Sequence, residues 1–166
     1  MLGGRYSDQG GSGWTLGAPF SPAYAFGSGL DYLNVSIVGS TAVLDEAGRC
    51  INFTITLHNA APFAGSHVVQ VYFNQQLSRY TRYKLMLAGF EKVHVTANGA
   101  ATAAISVPYA DLAYYYPRER TMVLEAGDLN FFVCRDSGSD GCLLAGQDQK
   151  VNATHVVSVP ATVAGL

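Results

Sequence analysis

The chain has 166 residues, 49% of them apolar and only 13% charged, and its 10 basic and 12 acidic side chains leave a formal net charge of -2. Ordinary soluble domains carry roughly 25% charge, so this chain is too apolar and too weakly charged for disorder and must bury a core. The near-neutral balance supplies no basic face for nucleic acid, and no window approaches the roughly 18 to 20 apolar residues of a membrane-spanning helix.

Residues 1–29 contain eight of the 18 glycines, two of the six prolines and the single tryptophan, Trp14, without a regular apolar period. That composition reads as an irregular Gly-rich tail. Trp14, Phe20, Tyr24 and Phe26 make it too aromatic for a solvated linker. The tail therefore packs against something, either its own domain or a preceding one that it leaves.

From residue 30 to residue 166 the pattern is that of a single β domain. Leu33, Val35 and Ile37 alternate with Asn34 and Ser36; Ile51, Phe53, Ile55 and Leu57 alternate with Asn52, Thr54, Thr56 and His58. Such period-two runs predict half-buried strands. Further runs follow at Val69, Val71 and Phe73, at Leu85 and Leu87, and at Val93 and Val95. After the turn signal Asn98-Gly99 come Ile105 and Val107, then Leu129, Phe131 and Val133, and finally Val157 and Val159. No stretch of eleven or more residues holds a helical stripe. The expected fold is all-β, with seven or more strands in two antiparallel sheets packed face to face.

Three Asn-x-Ser/Thr triplets occur, at Asn34, Asn52 and Asn152. Strand alternation places Asn34 and Asn52 on polar faces, where an N-linked glycan would reach water. Cys134 and Cys142 bracket a polar, turn-rich segment and are the expected disulfide, worth about 2 to 3 kcal/mol on a chain-entropy estimate. Cys50 begins an early strand and Cys134 lies toward the end of a late one, so in a sandwich with parallel-running partners they lie at opposite ends. Cys50 is then the odd thiol, a small buried residue with no local feature of an activated thiolate. Met1-Leu2-Gly3-Gly4-Arg5 lacks the apolar core of a signal peptide, so sequons and a disulfide fit a fragment of a longer secreted, lysosomal or other lumenal protein.

Catalytic chemistry is hard to find. Asp45, Glu46, Glu119, Glu125 and Asp128 read as solvated turn residues, not as the close carboxyl pair of a glycosidase. His58, His67, His94 and His155 are dispersed without metal-ligand spacing. No catalytic residue, cofactor site or metal site is expected. The most distinctive cluster is aromatic and basic: Tyr109, Tyr114, Tyr115 and Tyr116 with Arg118 and Arg120, and Tyr80, Tyr83, Arg79 and Arg82 earlier. Tyrosine and arginine are enriched in interface hot spots. Strand aromatics, a domain interface formed by Tyr109, Tyr114, Tyr115, Tyr116 and Arg118, and a sugar-stacking platform remain three readings of it.

Phe26-Gly27-Ser28-Gly29-Leu30-Asp31-Tyr32 resembles the Phe-Gly-x-Gly-Leu-Ser-Tyr stretch that opens the C-terminal fibronectin type III-like domain of family-3 glycoside hydrolases. Ala64 to Tyr72 (Ala-Gly-Ser-His-Val-Val-Gln-Val-Tyr) resembles that family's Ala-Gly-x-x-Val-Val-Gln-x-Tyr strand. Lys84 to Val93 resembles its Lys-x-Leu-x-Gly-Phe-x-Lys-Val strand, with one extra residue before Gly89-Phe90. Asp111-Leu112 and Glu125-Ala126-Gly127-Asp128 match two later landmarks. The resemblance covers about residues 20 to 136. It implies a fibronectin type III/immunoglobulin-like sandwich and a parent enzyme of the β-glucosidase or β-xylosidase kind, whose catalytic residues lie on domains outside this chain. The implied role is a non-catalytic accessory domain that stabilises those catalytic domains, its partners within the same polypeptide. A free-standing carbohydrate-binding or adhesion module, taking an oligosaccharide, is the competing expectation, and hydrolysis by the chain itself is a third.

Overall fold

The computed structural model describes residues 24–75, 77–79, 82, 85–137 and 154–159. Their elements run β1 (Val35–Asp45), β2 (Cys50–Asn59), β3 (Gly65–Asn74), β4 (Met86–Val95), β5 (Ala100–Pro108), the helical turn α1 (Tyr109–Leu112), β6 (Tyr114–Tyr116), β7 (Thr121–Val123), β8 (Gly127–Cys134) and β9 (Thr154–Val159). β1, β2 and β5 form a three-stranded sheet in the order β1-β2-β5; a four-stranded sheet runs β4-β3-β8-β9. All strand pairs are antiparallel.

The alternation seen in the sequence sets the core. Ile51, Phe53, Ile55 and Leu57 of β2 and Ala103, Ile105 and Val107 of β5 face Val69, Val71 and Phe73 of β3 and Leu129, Phe131 and Val133 of β8. Phe131 joins the layers, its ring 5.1 Å from Phe53 on one sheet and 5.9 Å from Phe73 on its own. Each such fully buried side chain stabilises the fold by about 1.5 to 3 kcal/mol relative to exposure. Gly89 on β4 lies under Ile105, and a Cβ there would stand 2.8 Å from Ile105 Cγ2. Hydrogen as the side chain is what lets the two layers close at that point. The arrangement fits a sandwich of the fibronectin type III and immunoglobulin kind.

Three expectations change. A third, two-stranded ribbon joins β6 to β7, so the described residues form three sheets where two were expected. Its strands have three residues each, too few to show a period. The turn α1, also unforeseen, follows Pro108 and is likewise too short for a helical stripe. Leu87 of one run and Val93 and Val95 of the next lie on one strand, β4, whose alternation is broken by a register shift opposite Val71 and Tyr72.

Burial is unequal on the two outer faces. The outer face of the four-stranded sheet carries a second apolar cluster of Tyr72, Leu85, Phe132 and Cys134, with Leu87 packed on it. β3 therefore reads as a nearly continuous buried run from Val69 to Phe73, as expected of a strand covered on both sides. The three-stranded sheet keeps a clean alternation, with Asn52, Thr54 and His58 exposed.

Candidate functional site

The segment Tyr24–Leu33 lies against the outer face of the four-stranded sheet, where its backbone is held by side chains of β3. Gln70 Nε2 donates to the Gly27 carbonyl at 2.9 Å and to the Arg135 carbonyl at 2.7 Å. The buried Tyr72 hydroxyl is 2.6 Å from Gln70 Oε1 and 3.2 Å from the Phe26 carbonyl. The Ser137 amide also donates to Phe26, at 2.9 Å, and Ser28 Oγ donates to Asp136 Oδ2 at 3.2 Å. Gly27 has φ +82°, and a Cβ there would run into Gln70 Oε1 and the Tyr72 hydroxyl. Only glycine satisfies both the backbone angle and the close approach. Burial, with the Asp136 charge adding to it, pushes the Tyr72 phenol well above its ordinary value, so it stays a neutral donor.

Asp31 adds a second tie. Its Oδ1 accepts the Leu33 amide at 2.8 Å, closing an Asx turn, and its Oδ2 is 2.5 Å from His67 Nδ1 on β3. Partial burial would raise the Asp31 carboxyl, but the His67 and Leu33 hydrogen bonds and the His67 charge outweigh it and hold it below the usual value. A cleft of about 370 Å³ opens beside this tie, lined by Tyr24, Asp31, Asn34, His67, Arg135 and Asp136 among others. Meanwhile the segment turns its large apolar side chains outward: Leu30 is 95% exposed and Tyr32 93%, with Tyr24 and Phe26 also exposed. Phe90, opposite Gln70 on β4, is 64% exposed on the same face, and Val68 is exposed nearby.

At the far end of the strands, Arg82 is clamped. Its guanidinium donates to Gln75 Oε1 at 3.1 Å and to the Leu112 carbonyl at 2.7 Å, and it lies over the Phe73 and Tyr114 rings at 5.1 and 5.4 Å. Burial loosens its hold on the proton, against the opposing pull of Tyr114 and Glu125. Glu125 accepts from the Tyr114 hydroxyl at 2.9 Å and from the Arg79 amide at 3.1 Å. With its side chain only 11% exposed, Glu125 is not the solvated turn residue expected from its neighbours.

The structure divides the predicted tyrosine cluster. Tyr109 is 1% exposed in the core and cannot meet a partner. Its position just after Pro108 at the end of β5 sends the ring inward, a consequence of α1 that the sequence did not show. Tyr114 is committed to Arg82 and Glu125. Tyr115 and Arg118 are exposed and Tyr116 half-buried. Tyr24, Phe26, Leu30 and Tyr32 are four exposed large apolar residues within one short segment. Cys50 carries a free thiol and is half-buried instead of buried. Cys134 is disulfide-bonded; Cys142, like Asn152, Trp14, Phe20, Tyr80 and Tyr83, lies outside the described residues. Asn34 and Asn52 are both exposed.

A glycosidase general acid needs a carboxyl whose proton is held more tightly than usual, whereas Asp31 and Glu125, the carboxyls with a shifted acidity among the described residues, are shifted down. Among the described residues no three His, Cys, Asp or Glu side chains gather as a metal site, and no helix is long and apolar enough to cross a membrane.

Residues 67–137 match the fibronectin type III-like domain family. Over 124 residues, 73% of this chain and 14% of the relative, the chain is 33% identical to a β-glucosidase of Kluyveromyces marxianus. It is 26% identical over 158 residues, 93% of this chain and 19% of the relative, to thermostable β-glucosidase B of Acetivibrio thermocellus. The crystal structure of the Kluyveromyces marxianus β-glucosidase superposes with a TM-score of 0.71 at 28% identity, covering 84% of this chain and 16% of that one. The chain thus spans less than a fifth of the length of these relatives. It contains a fibronectin type III-like domain homologous in fold and sequence to the C-terminal regions of family-3 glycoside hydrolases of the β-glucosidase kind, and corresponds to their non-catalytic accessory region.

Proposed function

We propose that this domain braces the catalytic portion of a family-3 glycoside hydrolase, which seats on the Tyr24–Tyr32 segment and the adjoining outer face of the four-stranded sheet. The observation that carries this reading is the segment itself. Its backbone is bonded down to Gln70, Tyr72 and Ser137, while Leu30, Tyr32 and, opposite Gln70 on β4, Phe90 turn to solvent. Large apolar side chains fixed on an ordered surface are the usual mark of an interaction site. The hydrolysis of terminal glycosidic bonds belongs, on this reading, to the catalytic portion, and the two-layer sandwich of this chain is a support for it.

Leu30→Ser and Phe90→Ser together test the reading. Exposed apolar residues contribute little to the domain that carries them, so the isolated chain should melt within about 2 °C of the parent. The intact enzyme carrying the same pair should lose activity at a temperature lower by several degrees. An unchanged intact enzyme would sink the docking face.

A second reading, a carbohydrate-binding module, is favoured by the cleft, where Tyr24 offers an aromatic face beside Asp31, His67, Arg135 and Asp136. Calorimetric titration of the isolated chain with glucan and xylan oligomers decides it: saturable binding lost in His67→Ala would support the module.

A further inference from the structure

The outer face of the three-stranded sheet carries no Asp, Glu, Lys or Arg between Ser36 and Val43 of β1, Asn52 and His58 of β2, and Ala100 and Ser106 of β5. Solvated protein surfaces are ordinarily about 25 to 35% charged. Here the rows run Val43, Asn52, Ser106 and then Thr41, Thr54, Ala104, followed by Gly39, Thr56, Thr102 and Ser36, His58, Ala100. Val38 and Val43 are exposed on it. The docking segment lies on the opposite side of the molecule, against β3, so it does not cover this face.

The Asn52 sequon opens onto this face, and the Asn34 sequon stands at its end, where β1 begins. Residues i and i+2 of a strand share a side, so Asn52 projects with Thr54 on β2, while Asn34 stands just before β1 and also borders the cleft beside Asp31 and His67; Asn34, Ser36, Asn52 and Thr54 are all exposed. Ser36 pairs with His58 and Val43 with Asn52, so the two asparagines stand at opposite ends of the face, on the order of 25 Å apart at the usual strand rise. The Phe53 side chain between Asn52 and Thr54 is buried in the core. The strand is therefore fixed with its sequon outward, and a sugar on Asn52 needs no rearrangement of the fold.

We propose that Asn34 and Asn52 carry N-linked glycans, and that sugar is what covers the uncharged face. In the transfer, the asparagine Nδ2 attacks the anomeric carbon of a lipid-linked oligosaccharide. An N–C bond forms as the bond to the lipid diphosphate breaks; the diphosphate leaves with the electron pair and Nδ2 gives up one proton. The donor is a lipid diphosphate oligosaccharide of a secretory compartment, which places the folding of this chain in such a lumen. Hydroxyl-rich, uncharged strands suit this cover, because glycan hydroxyls can pair with Thr and Ser without desolvating a charge. This inference goes beyond the bracing role and does not rest on it.

The test is secretion of the full chain from a eukaryotic host, followed by release of N-glycans with an amidase that leaves aspartate at each occupied site. Peptide mass mapping should find aspartate at positions 34 and 52. Thr54→Ala, an exposed position away from the core, should abolish occupancy at Asn52, leave the melting temperature of the deglycosylated chain unchanged, and lower the concentration at which the secreted protein aggregates. Unmodified Asn34 and Asn52 in the folded, secreted chain overturn the proposal, as does sugar confined to Asn152. Should the intact enzyme then show this face protected from solvent labels without sugar on it, protein is its cover.

Discussion

Tyr72 and Tyr109 have the same burial and opposite bonding. Tyr72 bonds to Gln70 and reaches the Phe26 carbonyl, whereas the Tyr109 hydroxyl has no protein partner among the described residues. Removing one member of a buried hydrogen bond costs about 1 to 3 kcal/mol, while removing an unpaired hydroxyl is close to neutral. Tyr72→Phe should therefore lower the melting temperature by several degrees and Tyr109→Phe should leave it or raise it slightly, as calorimetry of the two variants will show. Phe26-Gly27, Gln70 and Tyr72 all belong to stretches that carry the family resemblance, and they touch one another in space. That contact was not legible in the sequence, because strand alternation assigns a face without saying what lies over it. Asn59 was equally hidden: it reads as a polar strand end, yet is fully buried, its amide bonding the Phe63 and Thr96 carbonyls and accepting from the Ala61 amide.

Among the elements, the long strands were visible and the short ones were not. β2 and β5 alternate over their whole length because one side meets water, whereas β3 loses the pattern where the Tyr24–Leu33 segment covers its second side. The ribbon β6-β7 depends on contacts distant in sequence: Arg82 ties Leu112 and Tyr114 to Phe73, and Glu125 ties Tyr114 to Arg79. Arg82→Lys keeps the charge but loses the planar fork and its stacking, so it should destabilise by about 1 to 3 kcal/mol in denaturant unfolding. Glu125 gives this corner a pH dependence. Burial would raise its carboxyl, but hydrogen bonds from Ser78, Tyr114 and the Arg79 amide, with the Arg79 charge, bring it below its ordinary 4.5. A lowered folded value means stabilisation that is complete above 4.5 and lost as the pH falls through the folded value. Glu125→Gln should remove that part of the acid loss, seen as a flatter stability profile below pH 4.5; an unchanged profile would show that the ties to Glu125 contribute nothing.

At the scale of the whole molecule, two weakly polar surfaces stand on opposite sides of the sandwich. One side holds the core-like cluster around Tyr72 and Phe132 and the outward apolar residues from Tyr24 to Tyr32; the other is the uncharged sheet face with its two sequons. Composition alone could not separate them, since a count of charged residues does not say on which face of the fold they lie. Within the tyrosine cluster, the run of residues reveals neither that Tyr109 turns inward nor that Tyr114 is held by Arg82 and Glu125. The docking claim is tested most directly by hydroxyl-radical footprinting of the isolated chain against the intact enzyme. The account predicts that Leu30, Tyr32 and Phe90 are oxidised in the isolated chain and protected in the enzyme, while Val38 and Val43 are labelled equally in glycan-free samples of both. Equal oxidation of Leu30, Tyr32 and Phe90 in the two samples, or protection confined to Val38 and Val43, would contradict it.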